Sequence, residues 1–179
     1  MKKISFLAVL LGSLIFWSCN SHPSLQKYFV ENTENKNFIA LDVSSNILDV
    51  DKTKLTIAQS EALHSFEKIN VLAFKLDDKN KAEFEVEREK MHSILKDSIY
   101  QPLMKFGKGK EGASVCYVET DGKINEFVIF ANQQNSGFAV VRILGDDMNP
   151  TNIVNMISVL KESKIDLEQL KPLQELIKK

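Results

Sequence analysis

An α+β domain is the architecture this 179-residue chain predicts, with one sheet of about five strands, mixed in direction, ending in an antiparallel meander and packed by helices. Three observations carry that expectation. Residues 82–101 place Phe84, Met91, Ile94, Leu95 and Ile99 on one apolar stripe at helical spacing, with charged side chains on the early turns and outer face. Asp121-Gly122 between two apolar runs is a strong hairpin signal, because both central positions of a type I′ turn take positive φ. The patterns run αβαβαβββαα along the chain, the order of a single α+β domain.

The first element is an address. Lys2 and Lys3 precede an uncharged run of 14 residues from Ile4 to Trp17, too short to span a bilayer and typical of an export signal. Phe16-Trp17-Ser18 lacks the two small residues of ordinary signal cleavage, whereas Ser18 directly before Cys19 resembles the end of a bacterial lipobox. Phe16 and Trp17 are bulkier than that motif prefers, so soluble export and an uncleaved anchor remain as alternatives. The leading expectation is a lipoprotein signal over residues 1–18, lipid attachment at Cys19 and a short polar tether over 19–24. Two or more acyl chains hold a protein stably on a membrane. The tether carries no acidic run, which favours a periplasm-facing position over the cell surface.

The domain then occupies 25–179. Ser24 can cap a short helix carrying Leu25, Tyr28 and Phe29. Residues 38–43 read as a strand, and Thr56 with Gln59 has capping-box spacing for a helix through Ala62, Leu63 and Phe66. Residues 69–76 are apolar on most positions of both faces, as in a sheet interior. The helix over 82–101 should end at Pro102, which cannot donate a backbone hydrogen bond. A Gly/Lys loop follows, then strands over 113–119, 124–131 and 137–144. Counting outward from Asp121-Gly122 sets Thr120 opposite Lys123, Cys116 opposite Phe127 and Tyr117 opposite Glu126. Asn149-Pro150 is a good helix entry, and the leucine-rich segment 166–178 closes the chain around Pro172.

Composition narrows the function. Removing residues 1–18 takes away two lysines and no acid, leaving 21 basic against 24 acidic side chains. That balance argues against general nucleic-acid binding, which needs a basic footprint. The only tryptophan, Trp17, lies in the signal, which disfavours a sugar-binding module built on tryptophan platforms. Cys116, the one thiol outside the lipobox, reads as a small buried hydrophobe with no activating neighbour in the sequence.

The catalytic and metal motifs are weak. Gly107–Gly112 matches GxGxxG literally, yet a helix precedes it and a strand follows, the reverse of a dinucleotide fold. Asp49–Thr53 starts like a calcium loop, but Lys54 and Ser60 stand where the turn glycine and the bidentate glutamate belong. His22, His64 and His92 are dispersed, and surface solvation accounts for the neighbourhood of His92 with Arg88 and Glu89. No cofactor, metal site or catalytic residue is therefore expected.

The meander carries one unusual feature. On the register counted above, Cys116, Val118, Phe127 and Ile129 form a core face, while Val115, Tyr117, Val128 and Phe130 share the opposite face with Glu126. A sheet apolar on both sides needs cover on both. Either the C-terminal leucine ridge supplies it, or this face docks an envelope protein or an apolar ligand. Arg142 on the last strand is a candidate partner for Glu126.

Tyr100-Gln101-Pro102-Leu103-Met104, Val115-Cys116-Tyr117-Val118, the run from Asp121 to Val128 and the run from Val141 to Asp146 resemble a known family. It is domain of unknown function 4252, small exported proteins of Bacteroidota, many with lipoprotein signals, and the similarity spans roughly Leu25 to Leu160. The resemblance implies export and no family catalytic residue. Its members' frequent location near alternative sigma factors and their membrane inhibitors implies envelope sensing. The reading that results is a non-enzymatic, membrane-anchored envelope lipoprotein acting as a binding module. The competing readings are an enzyme with acid and base groups converging from separate loops, and a passive structural component.

Overall fold

Ser24 opens the first helix as its side chain allows: its Oγ accepts the Lys27 N–H at 3.2 Å, and α1 (Leu25–Asn32) buries Leu25, Tyr28 and Phe29. A computed structural model describes residues 24–44, 54–108, 111–151 and 155. The elements after α1 are β1 (Phe38–Ser44), α2 (Ile57–Ser65), β2 (Phe66–Lys75), α3 (Lys81–Ile94), β3 (Gln101–Lys108), β4 (Glu111–Thr120), β5 (Lys123–Gln133) and β6 (Gly137–Met148). The capping box at Thr56 is present in both directions: Gln59 N–H donates to Thr56 Oγ1, and Thr56 N–H donates to Gln59 Oε1.

The six strands form one antiparallel sheet in the order β1-β2-β6-β5-β4-β3. The expected count of about five and the mixed direction are both corrected here. The sixth strand is β3, drawn from residues that the sequence pattern assigns to a helix end and a loop. The helix stops early, at Ile94, because tight turns take over the chain. Leu95, Lys96 and Asp97 bond back to the carbonyls of Met91, Ser93 and Ile94, and the Asp97 carboxylate then accepts the Ile99 N–H at 3.1 Å. Local side-chain bonding of this kind competes with helix continuation. Pro102 therefore sits near the start of an edge strand, where its missing N–H costs little. Because β6 returns between β2 and β5, no pair needs to run parallel.

Both faces of the sheet are apolar and both carry helices. On the first face, α1 and α3 cover Leu72, Phe74, Cys116, Val128, Phe130, Phe138 and Val140. Aromatic rings dominate this core: Phe38 meets Phe74 edge-on at 5.1 Å and Phe74 stacks on Phe138 at 5.6 Å. Such pairs add about 1 kcal/mol each beyond area burial. On the second face, Leu63 of α2 packs with Val43, Phe66, Ile69, Val71, Phe127, Ile143 and Met148. The leucine-rich segment 166–178 lies outside the described residues. Pro150 and Thr151 are helical, and Asn149 Oδ1 accepts the Thr151 N–H at 2.7 Å, as expected of that entry.

Asp121 and Gly122 have φ of 54° and 79°, the geometry of the expected turn, and Thr120 pairs with Lys123. The register beyond it is a correction. The pairing shifts between Val118 and Glu119, so Asn125 is an extra residue in β5, and Cys116 faces Val128 while Tyr117 faces Phe127. A β-bulge of one residue flips every side chain after it to the other face.

Candidate functional site

The register change divides the four residues expected to form one docking face. Val115 and Tyr117 lie on the second face with Phe127 and Ile129, whereas Val128 and Phe130 belong to the first. Val115, Val128 and Phe130 are all buried, so they act as core rather than as an exposed patch. Tyr117 is half-buried, and its hydroxyl donates to Gln101 Oε1 at 2.7 Å. Cys19 lies outside the described residues, as do Asp49–Thr53.

Two groups of side chains converge on the first face. The first lies at the α1 end. Arg142 on β6 donates from Nε to Glu126 Oε1 at 2.7 Å and from Nη2 to Glu126 Oε2 at 3.0 Å, the pairing that the sequence proposes. Both side chains are nearly buried, and the guanidinium carbon sits 5.5 Å from the Phe29 ring centre. The Tyr100 hydroxyl, close by, accepts the Leu25 N–H at 3.3 Å. Cys116 completes the group: burial, reinforced by Glu126, pushes its thiol up to about 11. At neutral pH it is a thiol, and thus a poor nucleophile. This group clamps the start of α1 to the sheet.

The second group lines a cleft of about 360 Å³ between α3 and the β3–β4 hairpin. Its origin is topological. The chain leaves β2, runs through α3 over the first face, and comes back as β3 at the far edge, which sets the hairpin across from the helix. Arg88, Glu89 and His92 form the helix wall, Lys105 and Phe106 the hairpin wall, and Phe130 and Ser114 the floor. Ser114 pairs with Lys105 on one side and Phe130 on the other, which puts all three on the first face. The His92 ring meets Phe130 edge-on at 5.0 Å. That shielding lowers the His92 pKa; Glu89 opposes the shift, while Arg88, Lys96 and Lys105 add to it. Phe106, 57% exposed, borders the cleft, but it pairs with Ala113 and so alternates to the second face.

The glycines of the GxGxxG match build this hairpin. Gly107 has φ of 87°, and a Cβ placed there would stand 2.5 Å from the Glu111 carbonyl oxygen. Close backbone approach, rather than a phosphate, accounts for the glycine. The cleft was missed in the sequence because the i, i+4 pair Arg88 and His92 looks like a solvated helix face until β3 is placed opposite. Among the described residues, no group of three or more His, Cys, Asp and Glu is arranged to hold a metal ion, and no helix is long and apolar enough to cross a membrane.

A family model described as a domain of unknown function (DUF4252) matches residues 28–156. The match covers more than half of the chain, and the protein belongs to that family. It takes in all six strands, the Arg142–Glu126 pair and the cleft. No curated protein and no solved structure has a significant match to the chain.

Proposed function

We propose that this protein is a non-enzymatic binding module of the bacterial envelope, tethered by acyl chains on Cys19, that takes its ligand in the cleft between α3 and the β3–β4 hairpin. The observation that carries the reading is the cleft itself, a concave site with a polar wall and an aromatic floor. Sites for small ligands combine apolar lining with a few convergent polar groups in this way. The residues that line the cleft all fall within the span of the family match. A role in envelope sensing, with the ligand as the sensed species, fits the family resemblance. The buried, protonated Cys116 favours binding over thiol chemistry.

The test is a panel of neutral, anionic and cationic fragments titrated into the 15N-labelled full chain in detergent micelles. Amide shifts gathering on Arg88, His92, Lys105 and Ser114 support the reading. Fragments that bind only elsewhere, or leave these residues unmoved, count against it.

A further inference from the structure

We infer that the second face of the sheet is a docking surface for the chain's own C-terminal leucine segment, residues 166–178.

Strand register builds the surface. Directly paired residues on antiparallel strands project to the same side, so the pairings define rows that cross all six strands. One aliphatic row runs from Leu41 on β1 through Val141 and Ile129 to Met104 on β3. The next sets Ala73, Ala139, Ala131 and Ala113 in line between Ile39 and Phe106. Neither row holds a polar side chain. Among the described residues, α2 covers this face at one end, where its Leu63 joins Phe66, Ile69, Ile143 and Met148. At the other end Phe106 is 57% exposed, and Ala131 is exposed too. A continuous apolar surface of this kind marks an interaction site.

The alanines define the shape of the occupant. Four methyl side chains between Ile39 and Phe106 leave a trough, and a trough lined by small residues is filled by large apolar ones from the facing element. The chain supplies them. Leu167, Leu170, Leu173 and Leu176 recur at every third residue.

Reach and direction agree with this occupant. Met148, at the end of β6, packs in the second-face core, so the chain leaves the sheet on that side. Thirty residues follow Asn149. From Met148 back along β6 to Ala139 is about 30 Å at the rise of a strand. At the smaller rise of a helix, Leu167 and Leu170 would lie about 27 and 32 Å from Asn149. That distance brings them level with the alanine row. A second copy or a free protein competes poorly for the same surface, because a short covalent link raises the effective concentration of the attached segment into the millimolar range.

The test installs the photoreactive residue p-benzoylphenylalanine in place of Phe106, and separately in place of Ala131, in the full chain held in detergent micelles. Both positions are exposed, so the fold does not depend on either side chain. Irradiation should give links within one chain, and mass spectrometry of the digest should place them on peptides from residues 166–178. Leu170→Asp together with Leu173→Asp should lower that yield several-fold. Links from both positions to a second copy, to detergent or to another part of the chain overturn the inference. So does the absence of any link, or a yield that the two aspartates leave unchanged.

Discussion

Arg142 and Glu126 form a nearly buried ion pair between neighbouring strands. Their bidentate contact is nearly removed from water, so loss of one partner strands a charge against Phe29 and Val128. Arg142→Met should therefore cost about 3 to 5 kcal/mol in urea unfolding, whereas joint replacement with Glu126→Leu should return most of that loss. Cys116 provides a second check at the same scale. Its folded pKa is raised from 9.0 to about 11 by burial, so the unfolded chain gives up the proton first. The stability tied to that proton is intact below pH 9 and is lost as pH rises toward 11. The urea midpoint of the wild type should fall more steeply over that range than that of Cys116→Ala. A thiol reagent at pH 8 should label the unfolded chain much faster than the native one.

At the scale of elements, the two glycine turns of the meander separate backbone strain from steric approach. Gly122 has φ of 79° with open space around its Cα, so Gly122→Ala should cost about 1 kcal/mol, the left-handed penalty alone. Gly107→Ala adds a collision with the Glu111 carbonyl and should cost distinctly more, by urea midpoint at constant slope. Much of this level was legible in the sequence. The Ser24 cap, the Thr56–Gln59 box, the Asp121-Gly122 turn and the strands around it all follow from local chemistry, because each signal lies within a few residues of its effect. The bulge at Asn125 lay outside a simple count from the turn, although the consecutive polar residues Asn125 and Glu126 interrupt the alternation at that point. Strand β3 was hidden for a related reason. Ile99 continues the helical stripe of α3, and only the Asp97 turn shows where the helix has ended.

For the whole molecule, those two local misreadings decide where a site can form. With β3 read as helix and loop, the sheet ends at β4, and no wall stands opposite Arg88 and His92. With the bulge left out, Val115, Tyr117, Val128 and Phe130 merge into one apolar face that the folded chain does not present. Long-range placement, set by β6 returning between β2 and β5, turns a solvated helix surface into one side of a cleft. The charge balance, by contrast, depends on composition alone. The tether proposed at Cys19 would hold the domain by the α1 side, where Ser24 begins the described fold and the Arg142–Glu126 clamp anchors it.

The most direct test of the proposed envelope-tethered binding domain is the intact mass of the native polypeptide, taken from washed membranes of the cells that make it. The account predicts a chain that begins at Cys19, carries diacylglycerol and further acyl mass on that residue, and leaves the membrane only with detergent. A chain that begins at Met1, bears no lipid and stays in the soluble cytosolic fraction would contradict it.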